Sequence, residues 1–229
     1  MLLTHFGQSC LLIETADARV LVDPGALSPG VEELRDLDAV VVTHGHVDHL
    51  DPGRLPALLA ANPGARVIAE PSVADDLGGD GAIAAEVAAL HPGETTTVGG
   101  LTLRAVGGRH AVIHEDIPRI GNIGVVFSAA GEPTFLHPGD SYEVTPEIRG
   151  RIDVLGLPLA APWCALKETV EFARAVAAPV VVPIHDVQLA PVGRNLFLTT
   201  VGNLLPAGTQ VRDLAGQPAT TFLPPEHQV

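Results

Sequence analysis

The sequence has few aromatic residues and few cysteines, and each shortage excludes a class of protein. Phe, Trp and Tyr together make up 3% of the 229 residues, so the core must be built from aliphatic side chains. Cys10 and Cys164 are the two cysteines, too few for a disulfide framework, and we therefore expect a reduced, cytoplasmic protein. No apolar run reaches the roughly 18 residues that a membrane span needs, and we expect no signal peptide.

Positive charge is scarce as well. Thirteen Lys and Arg residues against 27 Asp and Glu residues give a formal net charge of −14, and Lys167 is the single lysine. Nucleic acids and anionic membranes are recognised by clustered basic residues, so we expect neither as a partner. A small-molecule substrate is expected instead. The hydrophobic fraction of 46% predicts a globular chain, with one domain over residues 1–229.

One six-residue segment concentrates the chemistry of this chain. His44, His46, Asp48 and His49 form a His-x-His-x-Asp-His pattern directly after the apolar residues 38–43, which are typical of a buried strand. Ligands bind at the carboxyl ends of strands in open α/β sheets. In an extended loop His44 and His46 point the same way and can bind one ion, while Asp48 and His49 turn toward a second. The alternative is a polar loop with accidental histidines.

The order of predicted elements indicates two packed sheets with helices outside them, an α/β chain. Short strands come first, and strands then alternate with helices. The patterns predict strands at 2–6, 9–14, 19–22, 38–43, 66–69, 123–129, 134–136, 152–157 and 180–184, with further strands between 85 and 107. They predict a helical turn at 31–37 and helices at 54–61, 72–77, 167–177 and 195–205.

Three distant residues repeat the same arrangement of a strand followed by a metal-capable side chain. His110 follows residues 106–109, Asp140 follows the strand at 134–136, and His185 follows the strand at 180–184. A single histidine at a strand end is more often a hydrogen-bonded structural residue. Together with the six-residue segment, however, the three complete two coordination shells.

This ordered series of residues resembles the metallo-β-lactamase superfamily of binuclear hydrolases, over residues 2–185. The resemblance implies an αββα sandwich with the metals at one edge between the sheets. It also implies the ligands: His44, His46 and His110 for the first metal, Asp48, His49 and His185 for the second, and Asp140 bridging both. Asp23 matches an aspartate that braces the metal loop in the superfamily. Asp51 and Asp186 are further candidates to hydrogen-bond the histidine ligands.

The residues around Asp140 and His185 look like the branch of the superfamily that contains ascorbate-phosphate lactonase-like proteins and phosphodiesterases. Antibiotic-degrading lactamases generally lack an aspartate at the bridging position. One departure from that branch stands near the start of the chain. Many of its members have Gly-His-Ala or Gly-His-Ser where this chain has Gly7, Gln8 and Ser9, beside the expected wall of the pocket.

The resemblance therefore implies a hydrolase of a small-molecule ester, such as a phosphodiester or a lactone, that uses a metal-bridging hydroxide oriented by Asp48. Two divalent ions are expected per chain, Zn²⁺ first and Mn²⁺ or Fe next. Two alternatives stay open: an iron-dependent thiol or persulfide dioxygenase on the same scaffold, and a non-enzymatic metal-binding module. The lineage also allows a homo-oligomer.

Several further residues have roles that the sequence leaves open. His114 and Arg109 are candidate substrate contacts, as is Arg119, and each has an ordinary surface role as its alternative. His137 is expected to be buried and structural, and His91 and His227 to be solvated. The roles of His5, Trp163 and Cys164 are open; Trp163 and Cys164 could line the mouth of the pocket.

Overall fold

Fourteen strands and four α-helices lie along residues 1–79 and 83–224, which are the part of the chain that this computed structural model describes. The strands are β1 (Leu2–His5), β2 (Leu11–Glu14), β3 (Arg19–Val22), β4 (Ala39–Val42), β5 (Arg66–Ala69), β6 (Val87–Ala89), β7 (Thr95–Val98), β8 (Leu101–Arg109), β9 (Gly121–Ser128), β10 (Phe135–His137), β11 (Val154–Pro158), β12 (Val180–Ile184), β13 (Gln210–Val211) and β14 (Thr220–Thr221). The helices are α1 (Leu55–Ala60), α2 (Pro71–Gly79), α3 (Leu166–Val176) and α4 (Pro191–Leu204), and Val31–Glu33 forms a 3-10 turn.

The strands form two seven-stranded sheets. The first has the order β14-β1-β2-β3-β4-β5-β6 and is antiparallel as far as β3 and parallel from β3 to β6. The second has the order β13-β12-β11-β10-β9-β8-β7; it is antiparallel from β7 to β10 and parallel from β10 to β13. Parallel strands bring their carboxyl ends to the same edge of a sheet, where α/β proteins bind ligands.

Side chains alternate along the strands between a core that joins the sheets and outer layers that face the helices. In β3, Val20 and Val22 join the core between the sheets, whereas Leu21 lies in the outer cluster beneath α1 and α2. Phe127 and Phe135 reach the same inter-sheet core from the second sheet. The two sheets therefore pack face to face through aliphatic and phenylalanine side chains.

Helices cover the outer face of each sheet. Leu58 of α1 and Val73 of α2 are buried against the first sheet, and Val170 and Phe172 of α3 against the second. Helix α4 lies beside α3 and buries Val201. This order of layers confirms the expected αββα sandwich. Within the described ranges, no helix is long and apolar enough to cross a membrane.

The predicted strands at 19–22, 66–69 and 180–184 match β3, β5 and β12 at both ends. Helix α4 begins four residues before the predicted start at 195, because Pro191 occupies the first helical turn, a position that suits proline. The two-residue strands β13 and β14 were not predicted. They exist through pairing with β12 and β1, and no alternating pattern of their own marks them.

The inter-sheet core gives a first stability prediction. Phe127 is fully buried, with its ring centroid 6.0 Å from that of Phe135. We expect Phe127→Ala to lower the free energy of unfolding by about 3–5 kcal/mol through lost burial and a residual cavity, measured by urea denaturation. Leu196→Ala in α4 removes a side chain that is 62% exposed and serves as the control. Comparable losses in the two variants would contradict this account of the core.

Candidate metal centre

Four loops meet at one edge between the two sheets, and each leaves the carboxyl end of a strand. The segment 44–49 begins two residues after the end of β4 in the first sheet. His110 follows β8, Asp140 follows β10 and His185 follows β12, all in the second sheet. The sequence placed these residues after strands, and the packing of the two sheets brings the four loops together.

The side-chain atoms that could bind metal fall into two groups. In each group, one such atom per residue lies within 4.8 Å of all the others. The first group is His44, His46, His110 and Asp140, and the second is Asp48, His49 and His185. Asp140 faces both, because its Oδ2 lies 3.4 Å from Nε2 of His110 and 3.2 Å from Nε2 of His185.

The histidine rings are oriented by hydrogen bonds on the side away from the cluster. Nδ1 of His110 donates to the carbonyl oxygen of Ala111 at 2.7 Å, and Nδ1 of His185 donates to that of Ala160 at 2.8 Å. Each bond fixes the ring so that Nε2 points inward. Metal-binding histidines typically have this arrangement, with the second ring nitrogen bonded to a carbonyl or carboxylate.

Asp23 supports the loop that bears the cluster. Its fully buried carboxylate accepts hydrogen bonds from the backbone N–H of Thr43, from the Thr43 hydroxyl and from Nδ1 of His49, at 2.8, 2.8 and 2.7 Å. The Thr43 hydroxyl also lies 3.1 Å from Nδ1 of His44. One carboxylate thus orients rings from both groups, His49 directly and His44 through Thr43.

Buried atoms without partners show that this cluster suits a metal. Nε2 of His49, Nε2 of His110 and Oδ1 of Asp140 are buried and make no well-aligned hydrogen bond, although Nε2 of His49 and Oδ1 of Asp140 lie 3.1 Å apart as an ion pair. Buried polar atoms are nearly always paired, so three such atoms in one place call for an explanation. In addition, Nε2 of His44 and Nδ1 of His46 face each other at 3.1 Å. Imidazole and carboxylate donors suit zinc, manganese and iron, and the residues present therefore fit a metal centre.

The cluster mixes neutral and charged imidazoles with ionised carboxylates. Burial, with the nearby His49, holds the pKa of His44 well below its ordinary value. Burial also disfavours the charged form of His185, but the carboxylates of Asp140 and Asp48 outweigh it and raise the pKa to about 9. Asp140 itself has a pKa well below the usual range, because neighbouring histidines overcome the effect of its burial. Divalent cations would compete with the histidine protons for the same atoms.

Trp163 contributes to the site in a way that the sequence did not reveal. Its indole Nε1 donates to Oδ2 of Asp140 at 2.7 Å, and its ring centroid lies 6.0 Å from that of His110 and 6.1 Å from that of His185. The indole therefore covers one side of the cluster and fixes the carboxylate that faces both groups. No spacing pattern links residue 163 to residue 140, so only the folded chain shows this contact.

Gln8, the departure from the resembled branch, is also part of the site. It is fully buried, and its Nε2 donates to Oδ2 of Asp48 at 2.8 Å. The backbone carbonyl oxygen of Gln8 accepts a hydrogen bond from the backbone N–H of His185 at 2.8 Å. The side-chain oxygen, Oε1, is buried without a partner. An uncharged amide thus positions Asp48 in this chain.

Two aspartates have roles other than the expected ones. Asp51 accepts hydrogen bonds from the backbone N–H groups of Gly53 and Arg54 at the start of α1, at 2.9 and 3.3 Å. Asp186 accepts a hydrogen bond from Nε of Arg194 at 2.7 Å. Turn capping and an ion pair therefore replace the expected support of histidine ligands at these two positions.

The remaining histidine and arginine candidates lie outside the two groups. The side chain of His114 is 64% exposed and lies 3.6 Å from Asp116, and Arg109 is exposed at the end of β8. Arg119 is closer to the cluster, because its Nε donates to the carbonyl oxygen of His110 at 2.8 Å. His137 is fully buried and hydrogen-bonded to backbone groups on both ring nitrogens, as expected of a structural residue.

Four residues that the sequence singled out are still to be placed: His5, Cys164, His91 and His227. Nε2 of His5 lies 3.1 Å from the carbonyl oxygen of Gln8, beside the site. Burial raises the pKa of the Cys164 thiol, which argues against a nucleophilic role. His91 is exposed, and His227 lies outside the described residues.

A two-sheet sandwich with paired His/Asp groups at one edge defines a metallo-β-lactamase-fold protein. Residues 2–185 match the family model described as the beta-lactamase superfamily domain. The chain belongs to this family, and its relatives make it a metal-dependent hydrolase of that superfamily.

Two relatives and one solved structure illustrate the similarity. Protein Rv0786c of Mycobacterium tuberculosis is 42% identical over 97% of this chain and 100% of its own length. A UPF0173 metal-dependent hydrolase of Aeropyrum pernix is 31% identical over 80% of this chain and 81% of its own. The structure of Igni18, a metallo hydrolase of Ignicoccus hospitalis, superposes with a TM-score of 0.74 at 21% identity, over 96% of this chain and 97% of that one.

The contacts of Asp23 lead to a prediction about metal retention. Asp23→Asn keeps the shape of the side chain but replaces one acceptor oxygen by an amide that repels the Nδ1 donor of His49. We expect metal affinity to fall about 10–100-fold, measured by competition with a chelator. Asp51→Asn is the control, because Asp51 caps a turn and lies outside the two groups. This variant should retain metal like the unmodified protein. Unchanged affinity in a folded Asp23→Asn variant would contradict the supporting role.

Proposed function

We propose that this chain is a binuclear hydrolase that cleaves an ester bond in a small molecule, such as a phosphodiester or a lactone. The observation that carries the proposal is the position of Asp140, whose two carboxylate oxygens lie 3.1–3.4 Å from Nε2 of His110 in the first group and of His49 and His185 in the second. Three imidazoles make the first group suitable for zinc, and Asp48 makes the second suitable for zinc, manganese or iron.

Two divalent ions held by these groups would lower the pKa of a shared water toward neutrality and polarise the substrate oxygen. The residues of the chain supply orientation and proton transfer. The side chain of Asp48 is 20% exposed, whereas those of His49 and His185 are almost fully buried. Asp48 is therefore the member of the second group that reaches toward an incoming substrate.

Asp48 is held in its ionised form. Burial alone would raise the pKa of this carboxyl group, but hydrogen bonds from His185 and Gln8 and the charge of His49 bring it below its ordinary value. A carboxylate that does not retain a proton can accept a hydrogen bond from the attacking water, orient it, and pass a proton on to the leaving group. Gln8 adds a fixed N–H donor that keeps Asp48 in place.

The other two hypotheses have less support. A mononuclear iron dioxygenase would need the first group alone, yet Asp48, His49 and His185 form a complete second group. A non-enzymatic metal-binding module would tolerate loss of ligands, and none of the seven positions lacks a metal-binding side chain.

The proposal predicts both metal content and turnover. The purified protein should hold about two transition-metal ions per chain and hydrolyse small esters when loaded with zinc or manganese. His46→Ala removes a ligand of the first group, so we expect loss of metal and a fall in turnover by about a hundredfold or more, measured by elemental analysis and ester hydrolysis. His91→Ala, at an exposed histidine outside the two groups, should change neither quantity. Undiminished turnover in His46→Ala would refute the proposal.

A further inference from the structure

A groove of about 490 Å³ lies beside the metal centre, on the side of α3. Its lining includes Ala111, Val112, Tyr142, Trp163, Phe172 and Ala175. The volume lies within the range of small-molecule sites. Aromatic residues make up only 3% of this chain, yet its single tryptophan, its single tyrosine and one of its six phenylalanines line this groove.

The three aromatic rings form one continuous surface. The ring of Tyr142 stacks on Phe172 with centroids 4.9 Å apart, and it lies in an edge-to-face arrangement with Trp163 at the same centroid distance, 4.9 Å. The polar atoms of these side chains are already bonded elsewhere. The Tyr142 hydroxyl lies 2.8 Å from the carbonyl oxygen of Pro158, and the indole N–H donates to Asp140. Phe172 and Trp163 are only 3% and 8% exposed, so the surface that the rings offer to an occupant is small, but it is apolar.

The groove adjoins the metal centre through Ala111 and Trp163, although none of the seven metal-capable residues lines it. Ala111 directly follows His110, and its backbone N–H donates to the carbonyl oxygen of Asp140 at 2.8 Å. Trp163 belongs to both, because it lines the groove and bonds to the carboxylate of Asp140. A molecule whose ester group lies at the metal ligands can thus extend one substituent over Trp163.

The charges of the groove select against an anion. Its charged lining residues are two acids, Glu168 and Glu171, and no Lys or Arg is among them. A second cavity, of about 440 Å³, meets the site at Gln8 and is lined by charged Asp186 and Arg194. An uncharged ring is therefore better matched to the aromatic groove than to the second cavity.

We propose that the groove binds an uncharged aromatic or branched aliphatic substituent of the substrate, so that the preferred substrates are neutral apolar esters or lactones. This specificity rests on the proposed hydrolase function. A preference for an uncharged substituent distinguishes this chain from enzymes that bind a phosphate group of the substrate in the corresponding groove. Trp163 is the residue through which an occupied groove contacts the metal centre.

The groove can be tested by binding alone, since Trp163 is the single tryptophan and its fluorescence reports on its surroundings. Acetanilide, added to the full-length protein as purified, should change the emission saturably, whereas N-methylacetamide, which lacks the ring, should not. The matched anion 4-acetamidobenzenesulfonate should bind about tenfold more weakly, because Glu168 and Glu171 repel it. Equal or tighter binding of the sulfonate would overturn the charge selection.

Two matched substitutions locate the binding site. Ala175 lines the aromatic groove and Ala215 lines the second cavity, and both are half-buried. Ala175→Phe fills the groove and should weaken acetanilide binding about tenfold, whereas Ala215→Phe should leave it unchanged. Circular dichroism checks the folding of each variant, and Ala175→Leu replaces Ala175→Phe if the larger side chain prevents folding. If Ala215→Phe abolishes acetanilide binding and Ala175→Phe does not, the ring binds in the second cavity and the proposal is refuted.

Turnover then separates this inference from the proposed function. In Ala175→Phe, KM for phenyl acetate should rise while kcat/KM for methyl acetate stays the same. Hydrolysis of both esters with no effect of Ala175→Phe would refute the groove and leave the hydrolase standing. Saturable acetanilide binding that depends on Ala175, in a metal-loaded protein that hydrolyses no carboxylic ester, lactone or phosphodiester, would refute the hydrolase and leave the groove standing.

Discussion

The hydrogen bonds of the Asp23 carboxylate are the interaction on which the site depends. A carboxylate with no exposed surface is costly unless every oxygen is bonded, and here Thr43 and His49 supply three donors. These bonds tie the end of β3 to the loop after β4. Gly25 lies so close to that loop that a Cβ atom there would be 1.9 Å from the carbonyl oxygen of Asp48. The path of residues 44–49 is therefore determined by the segment that follows β3.

The same loop connects the two sheets. The carbonyl oxygen of Thr43 accepts a hydrogen bond from the backbone N–H of Ile123 in β9, at 3.0 Å. Asn122, the preceding residue, accepts one from the backbone N–H of Asp140 at 2.9 Å. Gly139 has a φ of +59°, and a Cβ atom there would lie 2.3 Å from the Asn122 side chain. Candidate ligands from the two sheets are thus held in register by hydrogen bonds of the backbone and of the Asn122 side chain, which explains how residues far apart in sequence converge.

Sequence reasoning identified much of this arrangement because its signals are local. The alternating and β-branched patterns of β3, β5 and β12 mark these strands at both ends. The seven metal-capable residues follow strands, and strand ends are readable from sequence. The contacts of Trp163 and Gln8 were not readable, because each depends on where two distant segments meet. Asp51 and Asp186 show the converse: a carboxylate near a ligand in sequence can serve a turn or an ion pair.

Backbone strain at the centre indicates that its geometry is maintained by its surroundings. Of the five non-glycine residues with positive φ in the described chain, Gln8, Asp23 and His185 lie at this site. Such conformations cost on the order of 1 kcal/mol each and persist where neighbouring bonds determine them. Here the backbone N–H of Asp23 donates to Val41, and that of His185 donates to Gln8. Those bonds hold the backbone of His185, a candidate ligand, and of Asp23, which supports His49, so the cost of these strained conformations is met during folding.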